Sequence, residues 1–223
     1  MIYLPVSLVL FLLLVLVLPF LWIFLTFDIV QDAAAKLGFS PETALLLFAA
    51  IILGGAINIP LYRVESQIEA FDELTSFWLN QFWGIPTHRI KQSTVVALNV
   101  GGGLIPSVLA LYQFGRASVF AILVVTAIVT VVSYWGAKVV PGIGIQMNPL
   151  LAPITAALSA LVIANAAQAA PVAFAGGVLG TLIGADILHL KEIQEMTPGV
   201  LSIGGAGVFD GVALCGLFAL LLT

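Results

Sequence analysis

The chain has 223 residues, of which 61% are hydrophobic and 8% charged, and a formal net charge of −4. A soluble domain carries about 45–50% apolar and about 25% charged residues. Apolar surface on this scale has nowhere to hide in water, so the solvent is lipid, which excludes a secreted enzyme, a cytosolic globule and a disordered module.

A helix needs about 20 apolar residues to cross the hydrocarbon core. The first stretch of that kind is 4–27. It lacks the basic flank and small-residue cleavage site of a signal peptide and is expected to stay as a permanent helix. The second span is expected over 42–62, behind a Ser40-Pro41 start that suits a helix N-terminus. The charge density then rises between Arg63 and Gln92. Within that loop Val64, Ile68, Phe71, Leu74, Trp78 and Phe82 recur at helical spacing, with Glu65, Glu69, Asp72 and Glu73 on another face. The pattern predicts an amphipathic interfacial helix over 64–83, anchored by Trp78 and Trp83. Further spans are expected over 93–114, 118–135, 145–166, 171–190 and 199–222, the fifth weakened by Pro149 and Pro153. The fold class is therefore all-α: a polytopic transmembrane helix bundle of about seven spans, some interrupted by Gly, Pro or Asn, in one integral membrane domain over 1–223.

Cations on short loops set orientation. With this span count Arg63, Arg89, Lys91, Lys138 and Lys191 fall on one side and Lys36 and Arg116 on the other, which places the N-terminus in the cytoplasm. Seven Lys and Arg against eleven Asp and Glu leave no basic footprint for nucleic acid. The single cysteine, Cys215, allows neither an intrachain disulfide nor a cysteine metal cluster. There is no zinc pattern, nucleophile elbow, phosphate loop or haem signature. No cofactor or metal is expected.

In so polar-poor a chain, intramembrane polar residues carry the information. Asp186 lies about one turn before the cytoplasmic end of the sixth span. Asp210 follows the glycine-rich run Gly204-Gly205-Ala206-Gly207. Antiparallel neighbouring helices would bring both to similar depth, within a candidate core over 171–223. Two close carboxylates in a low dielectric cannot both ionise comfortably, so they suit an acid and a base acting on one water, or the holding of a proton or cation. The plainer alternative is that each caps a broken helix. Asn58, Asn99 and Asn148 each adjoin glycine or proline, where helices kink, and could line a substrate or ion pathway. The segments Gly54-Gly55-Ala56-Ile57-Asn58-Ile59-Pro60 and Asn99-Val100-Gly101-Gly102-Gly103-Leu104-Ile105-Pro106 echo each other. Gly176-Gly177, Gly180 and Gly184 form a small-residue face for close helix contact. His189 is either a neighbour of the carboxylates or a plain loop residue, and Lys191 is expected to snorkel to the interface.

The strings Asn58-Ile59-Pro60-Leu61, Pro141-Gly142-Ile143-Gly144, Gly184-Ala185-Asp186 and Ser202-Ile203-Gly204-Gly205-Ala206-Gly207-Val208-Phe209-Asp210-Gly211 resemble those of a prokaryotic membrane-protein family catalogued as a domain of unknown function, number 1614. That resemblance brings no activity with it. The last part of the chain also resembles the core of intramembrane aspartyl proteases of the presenilin and signal-peptide-peptidase type. Those enzymes place one aspartate in a Tyr-Asp pair and the other in Gly-x-Gly-Asp on consecutive helices. The resemblance implies that Asp186 and Asp210 are catalytic, with Ala185 replacing the tyrosine and Phe209 the second glycine. Three functions remain open: an aspartyl-protease-like hydrolase acting on a single-span membrane protein, an ion- or proton-coupled transporter or channel built on broken helices, and a non-catalytic subunit docking other subunits of a membrane complex.

Overall fold

The computed structural model describes residues 15, 17–18, 27–69, 89–140, 144–192, 199–205 and 214–215. α1 (Phe27–Lys36) and α2 (Pro41–Gly54) meet at a bend of 110°. Gly38 makes the corner with φ +84°, under the Arg116 guanidinium. Ser40 starts α2 by accepting the Thr43 N–H on its side chain at 3.3 Å, with Pro41 at the first helical position.

α2 stops at Gly54-Gly55 and the chain leaves as β1 (Asn58–Glu69). It returns as β2 (Arg89–Asn99), antiparallel to β1, with Asn58 opposite Asn99 and Glu69 opposite Arg89. A π-helical turn, Val100–Leu104, leads into α3 (Ile105–Gln113). Next come α4 (Val119–Gly136), the short hairpin of β3 (Lys138–Val140) and β4 (Gly144–Gln146), and α5 (Leu151–Ile163). α6 begins at Ala169 and widens to π form over Leu182–Ile187. β5 (Gly199–Ile203) pairs in parallel with β2, from Thr94 opposite Gly199 to Leu98 opposite Ile203, giving the sheet order β1-β2-β5.

Helices long and apolar enough to cross a membrane are present among the described residues, but they differ from the expected seven. Among the described residues, two helices are long and apolar enough to cross: Val119–Gly136 and Ala169–Glu192. The bent pair α1 and α2 makes a third if taken as one span. The expected spans 118–135 and 171–190 match the first two closely. The expected span 93–114 is instead strand, π turn and a short helix. Its run Thr94-Val95-Val96-Ala97-Leu98 is apolar and β-branched, and pairing with β1 and β5 on its two sides satisfies its backbone as strand. The fifth expected span yields a helix of 13 residues, about 20 Å long and short of the roughly 30 Å core. The interfacial helix expected over 64–83 is corrected where it is described: residues 64–69 belong to β1. The fold is thus mostly helical with a small sheet, not all-α. Most of the expected span 4–27 lies outside the described residues.

α6 is the central helix, with nearly every residue from Ala169 to Asp186 buried. Its glycines face two ways. Gly176, Gly180 and Gly184 lie against Val125, Val129 and Ser133 of α4, while Gly177 meets Ala156 of α5 and Cys215. A methyl at Gly180 would come within 2.6 Å of the Val129 Cβ, so backbone-level approach depends on glycine there.

Candidate functional site

Three breaks in regular structure converge at one end of the sheet: the exit from α2, the entry to α3 and the end of β5. Breaks leave backbone groups without helical partners, and in lipid each orphan costs several kcal/mol. One side chain serves two of these breaks. Asn99 donates through Nδ2 to the Gly55 carbonyl at 2.8 Å, which completes the end of α2. Its Oδ1 accepts the Gly102 N–H at 2.7 Å, which caps the turn leading into α3. Val100 N–H donates to the Ile57 carbonyl at 2.9 Å and closes the crossing. The crossing is tight: a Cβ on Gly101 would lie 2.0 Å from the Ile51 carbonyl oxygen.

Asn99 Nδ2 also reaches Asn58 Oδ1 at 3.2 Å. The same Asn58 oxygen accepts the Ser202 hydroxyl of β5 at 2.5 Å. Asn58, Asn99 and Ser202 therefore form one network tying the three strands together at their shared end. Two residues beyond Ser202, Gly204 turns with φ +71° and packs on the backbone of Gly102 and Gly103. Its N–H donates to Asp186 Oδ2 at 2.6 Å. Asp186 is 3% exposed. Among the described residues Gly204 supplies the hydrogen bond that reaches this carboxylate.

The sequence-selected residues separate accordingly. Asn58 and Asn99 come together, and Asp186 joins them through Ser202 and Gly204. Asn148 does a local job: it is exposed, and its Oδ1 accepts the Leu150 N–H at 3.0 Å at the start of α5. Asp210 lies outside the described residues. Ser202 and Gly204 were not singled out from the sequence as site residues, although both stand in the long family-like string. His189, left open there, is buried and bonded through Nδ1 to the carbonyls of Gly184 and Ala185, both at 3.1 Å. Among the described residues no group of three His, Cys, Asp or Glu side chains is placed to hold a metal ion.

Chemically, the site offers a shielded carboxylate on a buried helix, an adjacent glycine turn, and an amide–hydroxyl network at the mouth of two broken elements. A family model described as "Protein of unknown function (DUF1614)" matches residues 52–222. No curated protein and no solved structure matches the chain.

Proposed function

The chain belongs to that family, and we propose that it is an intramembrane hydrolase in which Asp186 and Asp210 together activate one water against a peptide bond. The observation that carries this reading is the bond from Gly204 N–H to the Asp186 carboxylate. Gly204 opens the glycine-rich segment that runs to Asp210 six residues later, a reach of at most about 20 Å even fully extended. Asp186 is thus tethered to the start of the segment carrying its partner. One carboxylate takes a proton from water as the oxygen bonds to the peptide carbonyl carbon. The other, held as the carboxylic acid, gives its proton to the peptide carbonyl oxygen; the first then passes the proton it took to the departing nitrogen as the C–N bond breaks, and the second regains one from the gem-diol. The substrate class is a single-span membrane protein, and the enzyme sits in a prokaryotic inner membrane with its N-terminus in the cytoplasm.

The test uses the full chain in detergent with single-span substrates. Asp186→Asn and Asp210→Asn should each lower cleavage by about 10²-fold or more, the range of acid–base assistance. Wild-type cleavage rates in both variants would remove the dyad.

A second reading has one observation in its favour, the Asn58–Asn99–Ser202 network at the helix breaks. Interrupted helices with exposed amides and carbonyls build ion and substrate sites in transporters. In proteoliposomes this reading predicts proton- or ion-driven uptake that Asn99→Ala and Asp186→Asn both abolish. Hydrolysis without flux decides against it.

A further inference from the structure

α6 does not finish as an α-helix. Over Leu182–Ile187 its turns widen, and the Leu188 N–H reaches back five residues to the Ile183 carbonyl at 3.0 Å. An α-helix would have sent that N–H to Gly184, which loses its usual donor. The His189 ring replaces it, with Nδ1 at 3.1 Å from both the Gly184 and the Ala185 carbonyl. Both partners are acceptors, so Nδ1 carries a proton and donates to them. The ring is held from α4 as well: Tyr134 stacks on it with centroids 4.7 Å apart and planes 28° apart. Asp186 directly follows the two capped carbonyls. A π turn holds one residue more than an α turn. Reverting to α form would rotate Asp186 about the helix axis by on the order of 100°, away from Gly204.

We propose that His189 is a positioning residue for Asp186: through Nδ1 it caps the Gly184 and Ala185 carbonyls and keeps the π turn that aims the Asp186 carboxylate at Gly204. The role rests on the hydrolase reading for one readout and on the geometry of α6 alone for a second. Asn places its amide nitrogen at the δ position, as Nδ1 is. Gln places it at the ε position. In full-length protein in detergent, His189→Asn should therefore cleave a single-span substrate within about threefold of wild type, whereas His189→Gln and His189→Ala should lose kcat by about 10²-fold at unchanged KM, the effect of an ångström-scale misplacement.

The second readout is the rate at which a hydrophobic carbodiimide labels Asp186, followed by mass spectrometry. It should be unchanged in the Asn variant and rise about tenfold in the Gln and Ala variants, as the carboxylate loses its hydrogen bond. Wild-type kcat and labelling in the Gln and Ala variants overturn the proposal, as does an Asn variant that falls as far as Ala. If the wild-type chain cleaves nothing, the hydrolase reading fails by itself, and the labelling rates still decide the role of His189. Should the Ala variant fail to fold, the Asn and Gln pair carries the comparison.

Discussion

Replacing Gly204 with alanine tests whether the glycine turn holds the site together. At φ +71° a side chain costs roughly 1–2 kcal/mol in backbone strain. The added Cβ would lie 2.6 Å from the Gly103 nitrogen and 2.7 Å from the Gly102 carbonyl carbon, both backbone atoms that cannot swing aside. Overpacking of that kind costs about 1–3 kcal/mol, so the sum is about 2–5 kcal/mol before any loss of the bond to Asp186. For a chain of this length each kcal/mol is worth about 2–4 °C in Tm, which gives a fall of about 4–20 °C. The chain supplies its own reporter: Cys215, the single cysteine, is buried and reacts with a thiol-specific fluorophore on unfolding. Gly115→Ala is the control, because its Cβ would meet the Tyr112 carbonyl oxygen at an ordinary 3.7 Å. A Gly204→Ala melt matching wild type, or a Gly115→Ala melt falling as far, refutes the close-approach argument.

Asn99→Ala removes the cap on Gly102 and the bonds to Gly55 and Asn58, and should cost about 2–4 kcal/mol in the same melt. Asn99→Asp keeps an acceptor for Gly102 but turns an oxygen toward the Gly55 carbonyl and Asn58 Oδ1, so it should melt below wild type at least as far as Ala; a wild-type melt for Asp contradicts the donor role of the amide. Ser133→Ala should behave in the opposite sense. The Ser133 hydroxyl is buried against Gly184 with no hydrogen-bond partner among the described residues, so its removal should leave Tm unchanged or raise it by the equivalent of about 1 kcal/mol. A fall of that size would mean the hydroxyl has a partner after all.

Composition made the membrane legible, and unbroken apolar length located α4 and α6. What composition hid was the strand content. In lipid both faces of a strand can be apolar, so the period-2 alternation that marks strands in water is weak, and the run 94–98 reads equally as buried strand or helix. The deciding partner, β1, ends at Glu69, well before β2 begins at Arg89. Its own residues 64–69 fit a helical spacing, yet they pair with β2 in register down to Glu69 and Arg89. The site was half legible. Asp186, Asn58 and Asn99 stand out because polar groups are scarce at depth. Ser202 and Gly204 do not, since serine and glycine are common in helix contacts and their roles depend on β5 lying beside β2.

The echo between Gly54-Gly55…Asn58 and Asn99…Gly101-Gly102 acquires a physical meaning once the strands are paired. Read along the chain, the first is helix, glycine break, asparagine, strand; the second is strand, asparagine, glycine break, helix. Antiparallel pairing sets Asn58 opposite Asn99 and lays the two breaks against each other, with Gly101 in contact with Gly54 and Gly55. A carbonyl at one helix end and an N–H at the other then face the same point. Only a side chain with both a donor and an acceptor can serve the two at once, which selects an amide over a carboxylate or an apolar residue. The parallel strand β5 ends at the same level, its break begins at Gly204, and there the partner is a carboxylate. Donating to Asp186 ties the glycine turn to α6, a helix from outside the sheet. Of the three breaks, this one joins the sheet to the buried helix that carries the candidate chemistry.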